Sequence, residues 1–347
     1  MKESLSICVC APIYPSVGGI ETLAEELASQ WTAAGHRVTI VSNIAANGAA
    51  PRSFPFAVLY RPSANRLFAA ARRCDLFVQI NVSLRTIWPL LLARRPLIVV
   101  HQSLYSADAE RQGARDRWKL QIARRWAHNV SASAAIQRAI GVGGVVIPNL
   151  YEDHKFRLCP GHRDSDLVFV GRLVSDKGVD VLLRAMILLR SRKRYPSLSI
   201  IGDGPERSKL EKIALDGDLS GQVAFLGTKN HDELPRILNQ HRIMVVPSLW
   251  NEPFGIVALE GAACGCVVIG SAGGGLPEAI GPCGVTFPNG DEQRLATILE
   301  ALLANPSELE RYRTASAAHL ARHTSDVVSA QYLDFFSKAL NGRVHSE

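Results

Sequence analysis

The sequence predicts an α/β protein made of two doubly wound domains in series. Three observations carry that prediction. The chain has 347 residues, which at roughly 150 residues per domain is enough for about two. In both halves, short runs rich in Val and Ile, ending in Gly, Ser, Asn or His, alternate with amphipathic stretches of helical period. That alternation is the pattern of parallel strands joined by crossover helices. Between the halves, residues 148–165 are polar, contain Pro148, Pro160 and Gly161, and have no periodicity, so they read as an interdomain linker. The expected boundaries are a first domain over 1–155, a second over 156–325 and a closing helix over 326–347.

The first strand is expected over 4–11. The apolar run there is too short for a secretory core, follows Glu3 and meets Pro12, so it reads as a strand and not a signal. Further strands are expected at 37–42, 56–60, 76–81, 97–101, 129–132 and 145–147, each a β-branched run bounded by turn formers. In the second half the same reading gives 167–171, 198–202, 223–226, 243–247, 266–270 and 285–287. Helical period is clearest over 111–129, 179–194 and 327–340. The last of these places Val328, Tyr332 and Phe336 on one face and is expected to pack back on the first domain. In doubly wound sheets ligands bind outside the carboxyl ends of the strands, so a cleft between two such domains is the expected site.

Composition narrows the class. Hydrophobic residues make up 47% and charged residues 20% of the chain, which fits a folded globular protein and argues against disorder. No uninterrupted apolar stretch is long enough to span a bilayer. The seven cysteines are odd in number and show no CxxC spacing, which fits reduced thiols in a cytoplasmic protein. Cys8 and Cys10, like Cys264 and Cys266, alternate as strand residues do and read as small buried hydrophobes. The net charge of +7 is uneven. Residues 1–150 carry 17 Lys and Arg against 8 Asp and Glu, whereas the remainder carries 22 against 24. All the excess positive charge thus lies in the first half, at Arg66, Arg72, Arg73, Arg85, Arg94 and Arg95 and again over 111–125, where an anionic partner would find it.

Three segments of the second half could carry chemistry. Val168-Phe169-Val170-Gly171 leads into Arg172-Leu173-Val174-Ser175-Asp176-Lys177-Gly178, two cations between a strand end and a helix start. Backbone N–H groups and the helix dipole favour an anion there, a phosphate or diphosphate; the alternative is an ordinary solvated loop. Gly202-Asp203-Gly204-Pro205-Glu206-Arg207 is a Gly-rich turn after a strand, but Arg207 stands where a dinucleotide fingerprint needs its third Gly, which argues against NAD. The third segment is Asn251-Glu252-Pro253-Phe254-Gly255-Ile256-Val257-Ala258-Leu259-Glu260. A helix starting near Gly255 puts Glu260 one turn beyond Ile256, in an apolar run where a lone charge is costly without a partner. A carboxylate there can accept both hydroxyls of a ribose, and Glu252 can reach a second polyol. Gly255 lets a phosphate approach the backbone.

This arrangement resembles the retaining nucleotide-sugar glycosyltransferases of family 4, which have the two-domain GT-B fold. The resemblance rests on the Glu252 to Glu260 spacing with Phe254-Gly255 inside it, on Gly171-Arg172-Leu173 with Lys177-Gly178, on Gly202-Asp203-Gly204-Pro205 and on Gly273-Gly274-Gly275-Leu276-Pro277-Glu278. The first half adds Gly18-Gly19-Ile20-Glu21, His101 and Ile147-Pro148-Asn149. The resemblance implies that Arg172 and Lys177 bind the donor diphosphate, assisted by amides near Gly255 and Ile256. Glu260 would hold the ribose; Glu252 would contact the transferred sugar, with Phe254 shaping that pocket and Gly171 and Gly204 lining the donor side. Gly18 and Gly19 would let the donor approach the first loop. His101 would face the sugar; from its position alone it could equally be a capped imidazole at a strand end.

Further expectations follow. The donor is expected to be UDP-linked, with no cofactor and no required metal. Asp164-Ser165-Asp166 and Asp216-Gly217-Asp218 imitate a cation-binding DxD, but one lies in the linker and the other in a turn. His319 and His323 share a helical face with no third ligand and read as surface histidines. The stretch 111–129 mixes Arg111, Arg115, Lys119 and Arg125 with Trp118, Ile122 and Trp126. Such a helix can lie at an anionic membrane interface, or be a core-facing helix with a solvated basic face. The expected enzyme is cytoplasmic, peripheral on the inner face of the plasma membrane, and acts on a glycan or lipid-linked acceptor of the lipopolysaccharide type. A small soluble acceptor and a non-catalytic nucleotide-sugar sensor are the alternatives. Nucleic acid is not an expected partner, since no zinc-finger spacing, RNA-binding signature or basic tail is present.

Overall fold

The computed structural model describes residues 4–14, 18–45, 52–103 and 113–342. The chain forms two compact units, Met1–Leu150 with Thr324–Glu347, and Tyr151–His323. The first unit runs β1 (Ser6–Cys10), α1 (Gly19–Ala33), β2 (Arg37–Ser42), β3 (Ala57–Tyr60), α2 (Ala64–Arg73), β4 (Leu76–Ile80), α3 (Leu84–Ile87), α4 (Leu90–Ala93), β5 (Leu97–His101), α5 (Ala114–Trp126), β6 (Ala127–Ser131), α6 (Ala134–Ile140) and β7 (Val145–Val146). Its strands form one sheet in the order β3-β2-β1-β4-β5-β6-β7, every neighbouring pair parallel. Central strands of such a sheet are covered on both faces. Every residue of β4 and β5 is accordingly buried.

The second unit runs β8 (Ser165–Val170), a 3₁₀ turn (Ser175–Lys177), α7 (Val179–Ser191), β9 (Leu198–Ile201), α8 (Arg207–Asp216), β10 (Val223–Gly227), α9 (Leu234–Leu238), β11 (His241–Val246), α10 (Ile256–Ala263), β12 (Val267–Ser271), α11 (Leu276–Ile280), β13 (Gly284–Phe287), α12 (Glu292–Leu303) and α13 (Pro306–Leu320). The sheet order is β10-β9-β8-β11-β12-β13, again all parallel. Its core gathers Leu167, Phe169, Leu182, Met186, Ile200, Ile243, Val245, Ile269 and Phe287.

Two sequence expectations are corrected here. Residues 151–165 do not form a free linker. Phe156 is buried, the Cys159 amide donates to Asn239 Oδ1 at 2.8 Å, and the Arg163 guanidinium donates to the carbonyls of His241 at 2.7 Å and Cys264 at 2.5 Å. The segment is thus anchored by groups far along the chain, Asn239 satisfying one of its amides and its own Arg163 satisfying two distant carbonyls. Cys264 and Cys266 do not alternate within a strand either. Cys264 ends α10, Gly265 turns the chain at φ 81°, and Cys266 precedes β12. Both are buried, as are Cys8, Cys10, Cys74 and Cys283, and all seven thiols are unpaired.

The closing helix α14 (Ser325–Leu340) belongs to the first unit. Val328, Tyr332 and Phe336, at a spacing of four, are fully buried. Trp31 of α1 meets the Phe336 ring edge-on at 5.1 Å and that of Tyr332 at 5.9 Å between centroids. Edge-to-face pairs of this kind add roughly 0.5–1.5 kcal/mol each beyond the area they bury.

Candidate functional site

In the second unit β8 is flanked by β9 on one side and β11 on the other. The connections leave in opposite directions from that pair, so the carboxyl ends of β8 and β11 mark the switch point where such sheets bind ligands. The loops after these two strands hold Arg172, Lys177 and Glu252. They are laced together. Gly178, left-handed at φ 64°, sits so close to the Pro247 carbonyl that a Cβ would lie 2.0 Å from its oxygen, and the Leu249 amide donates to the Asp176 carbonyl at 2.9 Å.

Lys177 Nζ donates to Glu252 Oε1 at 2.6 Å, and Ser248 Oγ donates to the same oxygen at 2.6 Å. Glu252 is buried, its backbone bridged to Gly274 and its carbonyl accepting from the Gly275 amide at 2.7 Å. The Gly273-Gly274-Gly275 run is therefore a cradle for the Glu252 backbone: at Gly274, φ 72°, a Cβ would lie 2.2 Å from the Glu252 carbonyl oxygen. Arg172 is exposed, and its guanidinium makes no hydrogen bond or ion pair among the described residues. Gly171 and Gly204 serve the same assembly. The turn after β9 docks on the Arg172 loop, with the Leu173 amide donating to the Asp203 carbonyl at 2.9 Å and a Cβ at Gly204 falling 2.3 Å from the Leu173 oxygen. Arg207 opens α8 in ion pairs with Asp203 and Glu211.

Gly255, at φ 103°, is the N-cap of α10; a Cβ there would strike Leu276 Cδ1 at 2.6 Å. The first turn of α10, opening at Ile256, has N–H groups without intrahelical acceptors. Phe254 is buried, its ring 5.6 Å from that of His323. Glu260 lies one turn into α10, buried, and its carboxyl accepts no hydrogen bond from the described residues. Burial pushes it up to about 7, opposed by the positive groups His231 and Lys155 and reinforced by Glu152. A carboxyl so placed can be satisfied by hydroxyl donors from outside the chain.

The residues around Glu260 were not legible as site residues. Glu152 accepts from His231 and, at 2.8 Å, from Lys155. Burial raises the Glu152 carboxyl, but these bonds outweigh it and bring it down to about 2, while the same contact with Glu152 raises His231. Glu152 and Lys155 fall in the segment read as a linker, and nothing in their spacing signals a partner at 231.

In the first unit Gly18 is the N-cap of α1 in extended conformation, with Gly19 its first residue. His101 ends β5, fully buried, its Nε2 2.9 Å from Asn129 Oδ1. Burial lowers it to about 4 against the opposing bond to Asn129, so the ring is neutral at physiological pH. Beside it, Gln102 and Asn149 exchange amide hydrogen bonds of 2.8 Å in both directions. On α5, Trp118, Trp126 and Arg125 are exposed, whereas Lys119 pairs with Asp116 at 2.7 Å. Arg111 and the Arg115 side chain lie outside the described residues.

His319 and His323 are not surface residues. Both are buried, His319 hydrogen-bonding the Ala279 carbonyl at 2.9 Å, and α13 ends before His323. Of the two DxD-like runs, Asp166 lies within β8 and receives Ser197 N at 3.0 Å and Arg242 at 3.1 Å. Asp218 pairs with Arg190.

Residues 152–319 match the family model described as glycosyl transferases group 1. The chain is 40% identical over 131 residues to an uncharacterized glycosyltransferase of Methanocaldococcus jannaschii, covering 37% of this chain and 33% of that one. It is 30% identical over 218 residues to the amylovoran biosynthesis glycosyltransferase AmsK of Erwinia amylovora, covering 60% and 52%. The matched segment thus spans from a third to about half the length of these curated relatives. Among solved structures, HepE of Anabaena in complex with UDP and glucose superposes with a TM-score of 0.80 at 19% identity, covering 96% of this chain and 100% of that one. WaaG, a glycosyltransferase involved in lipopolysaccharide biosynthesis, gives 0.72 at 18%, covering 95% and 99%. The fold is that of the GT-B proteins, two Rossmann-like α/β domains.

Proposed function

We propose, from the membership of residues 152–319 in the glycosyl transferases group 1 family, that this protein moves a sugar from a nucleoside diphosphate donor to a glycan or lipid-linked acceptor. The observation that carries the reading is the convergence at one sheet switch point of the exposed guanidinium of Arg172 and the Lys177–Glu252 pair. Arg172 and Lys177, with the N–H groups opening α10 near Gly255 and Ile256, would hold the diphosphate. Glu260 would accept the ribose hydroxyls, and Glu252, shaped by Phe254, would meet the sugar. Gly18 and Gly19 would let the donor approach the first unit. His101, being neutral, would act toward the sugar as a hydrogen-bonding group rather than as a cation.

The chemistry follows from charge. The bond from the anomeric carbon to the phosphate oxygen breaks, and negative charge grows on the leaving diphosphate. Cations preorganised there stabilise that charge as it develops. The acceptor oxygen bonds to the anomeric carbon, its proton passes to the leaving phosphate, and the anomeric configuration is retained. The positive charge would come from side chains, with no metal required. A UDP-linked hexose is the proposed donor, supported by the UDP and glucose bound in HepE. A cell-surface glycan acceptor is supported by the involvement of AmsK in amylovoran biosynthesis and of WaaG in lipopolysaccharide biosynthesis.

The basic first half supports a peripheral place on the inner face of the plasma membrane, and no helix among the described residues is long and apolar enough to cross a bilayer. A panel of nucleotide sugars, scored by nucleoside diphosphate release and by thermal shift, tests the reading. Release with one donor and an acceptor extract supports it; stabilisation without release in the presence of acceptor would identify a sensor instead.

A further inference from the structure

The connection from β4 to β5 has the sequence Leu84-Arg-Thr-Ile-Trp-Pro-Leu-Leu-Leu-Ala-Arg-Arg95. Leu84, Trp88, Leu91 and Leu92 fall at i, i+4, i+7 and i+8, the spacing of one apolar helix face. Such a face is ordinarily turned to the core. Here it is turned outward: Thr86, Ile87 and Pro89 are buried, whereas Leu84 is 39%, Trp88 37%, Leu91 67% and Leu92 71% exposed.

The stretch of chain that carries this stripe is strongly basic. From Arg61 to Arg95 the chain carries seven arginines and a single acid, Asp75, whose carboxylate receives the Ser6 amide at 2.8 Å. Arg66, Arg72, Arg73, Arg85, Arg94 and Arg95 are all exposed. Arg95 donates to the Arg72 carbonyl at 2.8 Å, which fixes the end of α2 beside α4. The side chains of Arg66, Arg72, Arg73, Arg85 and Arg94 make no hydrogen bond or ion pair among the described residues. Contiguous exposed apolar surface on a folded chain marks an interaction site. Guanidinium groups that are unpaired among the described residues, beside a Trp and two adjacent leucines, match a surface that is anionic outside and apolar beneath. On α5 the exposed Trp118 and Trp126 share a face at i and i+8, but Ile122 between them is half-buried, so two tryptophans stand there without the adjacent exposed leucines of the α3–α4 connection.

We propose that the α3–α4 connection is the membrane-docking surface of this protein, with Leu91 and Leu92 entering the acyl boundary of an anionic bilayer, Trp88 at headgroup level and the flanking arginines on lipid phosphates. The inference rests on the membrane contact proposed above and assigns its location. Co-sedimentation of the full chain with phosphatidylcholine vesicles, with and without phosphatidylglycerol, tests it at low and high salt. Leu91→Ser with Leu92→Ser is expected to lower binding to the anionic vesicles about tenfold or more at either salt. Arg85→Gln with Arg94→Gln should lower it roughly fivefold per arginine at low salt, and far less at high salt. Trp118→Ser with Trp126→Ser should stay within about twofold of wild type. All three pairs are surface changes and should melt with wild type. A leucine pair that binds as wild type does, or a tryptophan pair that alone loses binding, would overturn the assignment to α3–α4 while leaving the membrane reading in place. Wild type that ignores anionic vesicles at low salt would overturn both, and so would a dimer dissolved by the leucine pair in a chain that ignores lipid. Nucleoside diphosphate release, assayed in parallel, reports on the donor site independently.

Discussion

The ammonium of Lys177 lies 2.6 Å from Oε1 of Glu252, although the two residues are 75 positions apart. An ammonium has three donors. One is taken by Glu252, which leaves two for a diphosphate, so under the proposed function a single ion pair would read both the diphosphate and the sugar of the donor. The pair should then act as a unit. In a double-mutant cycle of Lys177→Ala and Glu252→Gln, each single change is expected to lower transfer about 100-fold. The double variant should be little worse than either, a coupling of roughly 2.5 kcal/mol. Effects that simply multiply in steady-state assays would show that the two groups act separately.

Glu260 is predicted to couple stability to pH. Its carboxyl is raised from the ordinary 4.5 to about 7, principally by burial. Between those values the folded chain binds more protons than the unfolded one, so stability is greatest below pH 4.5 and falls as pH rises toward 7. The loss amounts to about 3 kcal/mol. Glu260→Gln has no such group. Its unfolding free energy relative to wild type should rise by about that amount between pH 5 and pH 8 in urea titrations. A difference independent of pH would contradict the burial argument. If Glu260 holds the ribose as proposed, donor affinity of the wild type should rise through the same interval, because the carboxylate can accept from both hydroxyls.

Gly274 is required by shape. At φ 72° and with a Cβ falling 2.2 Å from the Glu252 carbonyl oxygen, Gly274→Ala cannot be accommodated without moving the Glu252 backbone. The expected cost is about 2 kcal/mol or more, together with reduced transfer. Gly221, where a Cβ meets nothing within 4 Å, supplies the control: Gly221→Ala should change stability by less than about 0.5 kcal/mol. Equal behaviour of the two variants in thermal melts would refute the cradle.

Phe336→Ala removes a fully buried ring from the α1–α14 contact. A loss of about 3–5 kcal/mol is expected by chemical denaturation. Nucleotide affinity should be unchanged, since the groups proposed to hold the nucleotide, Arg172, Lys177 and Glu260, lie in the other unit. A loss below about 1 kcal/mol would mean that α14 is dispensable to the first unit.

The strands were legible because buried parallel strands are near-continuous β-branched runs. β2 at Arg37–Ser42 and β5 at Leu97–His101 stand where the sequence places them. The Glu252 to Glu260 segment was legible for a related reason: a carboxylate inside an apolar run is anomalous whatever surrounds it. What escaped was structure made by side chains across long separations. Arg163 organises a segment with no periodicity by reaching the carbonyls of His241 and Cys264. His319 gains its partner from Ala279. Glu152 and Lys155 pair locally at i and i+3, but His231 and Glu260 join them only through the fold, so the group as a whole has no local signature.

The most direct test is nucleoside diphosphate release from the preferred donor, compared among wild type, Arg172→Ala and Lys177→Ala. Arg172 is exposed and unpaired among the described residues, so its loss should leave the melting transition in place. The prediction is a fall in turnover of about 100-fold or more in both variants, each still folded. Near-normal turnover in both would contradict it.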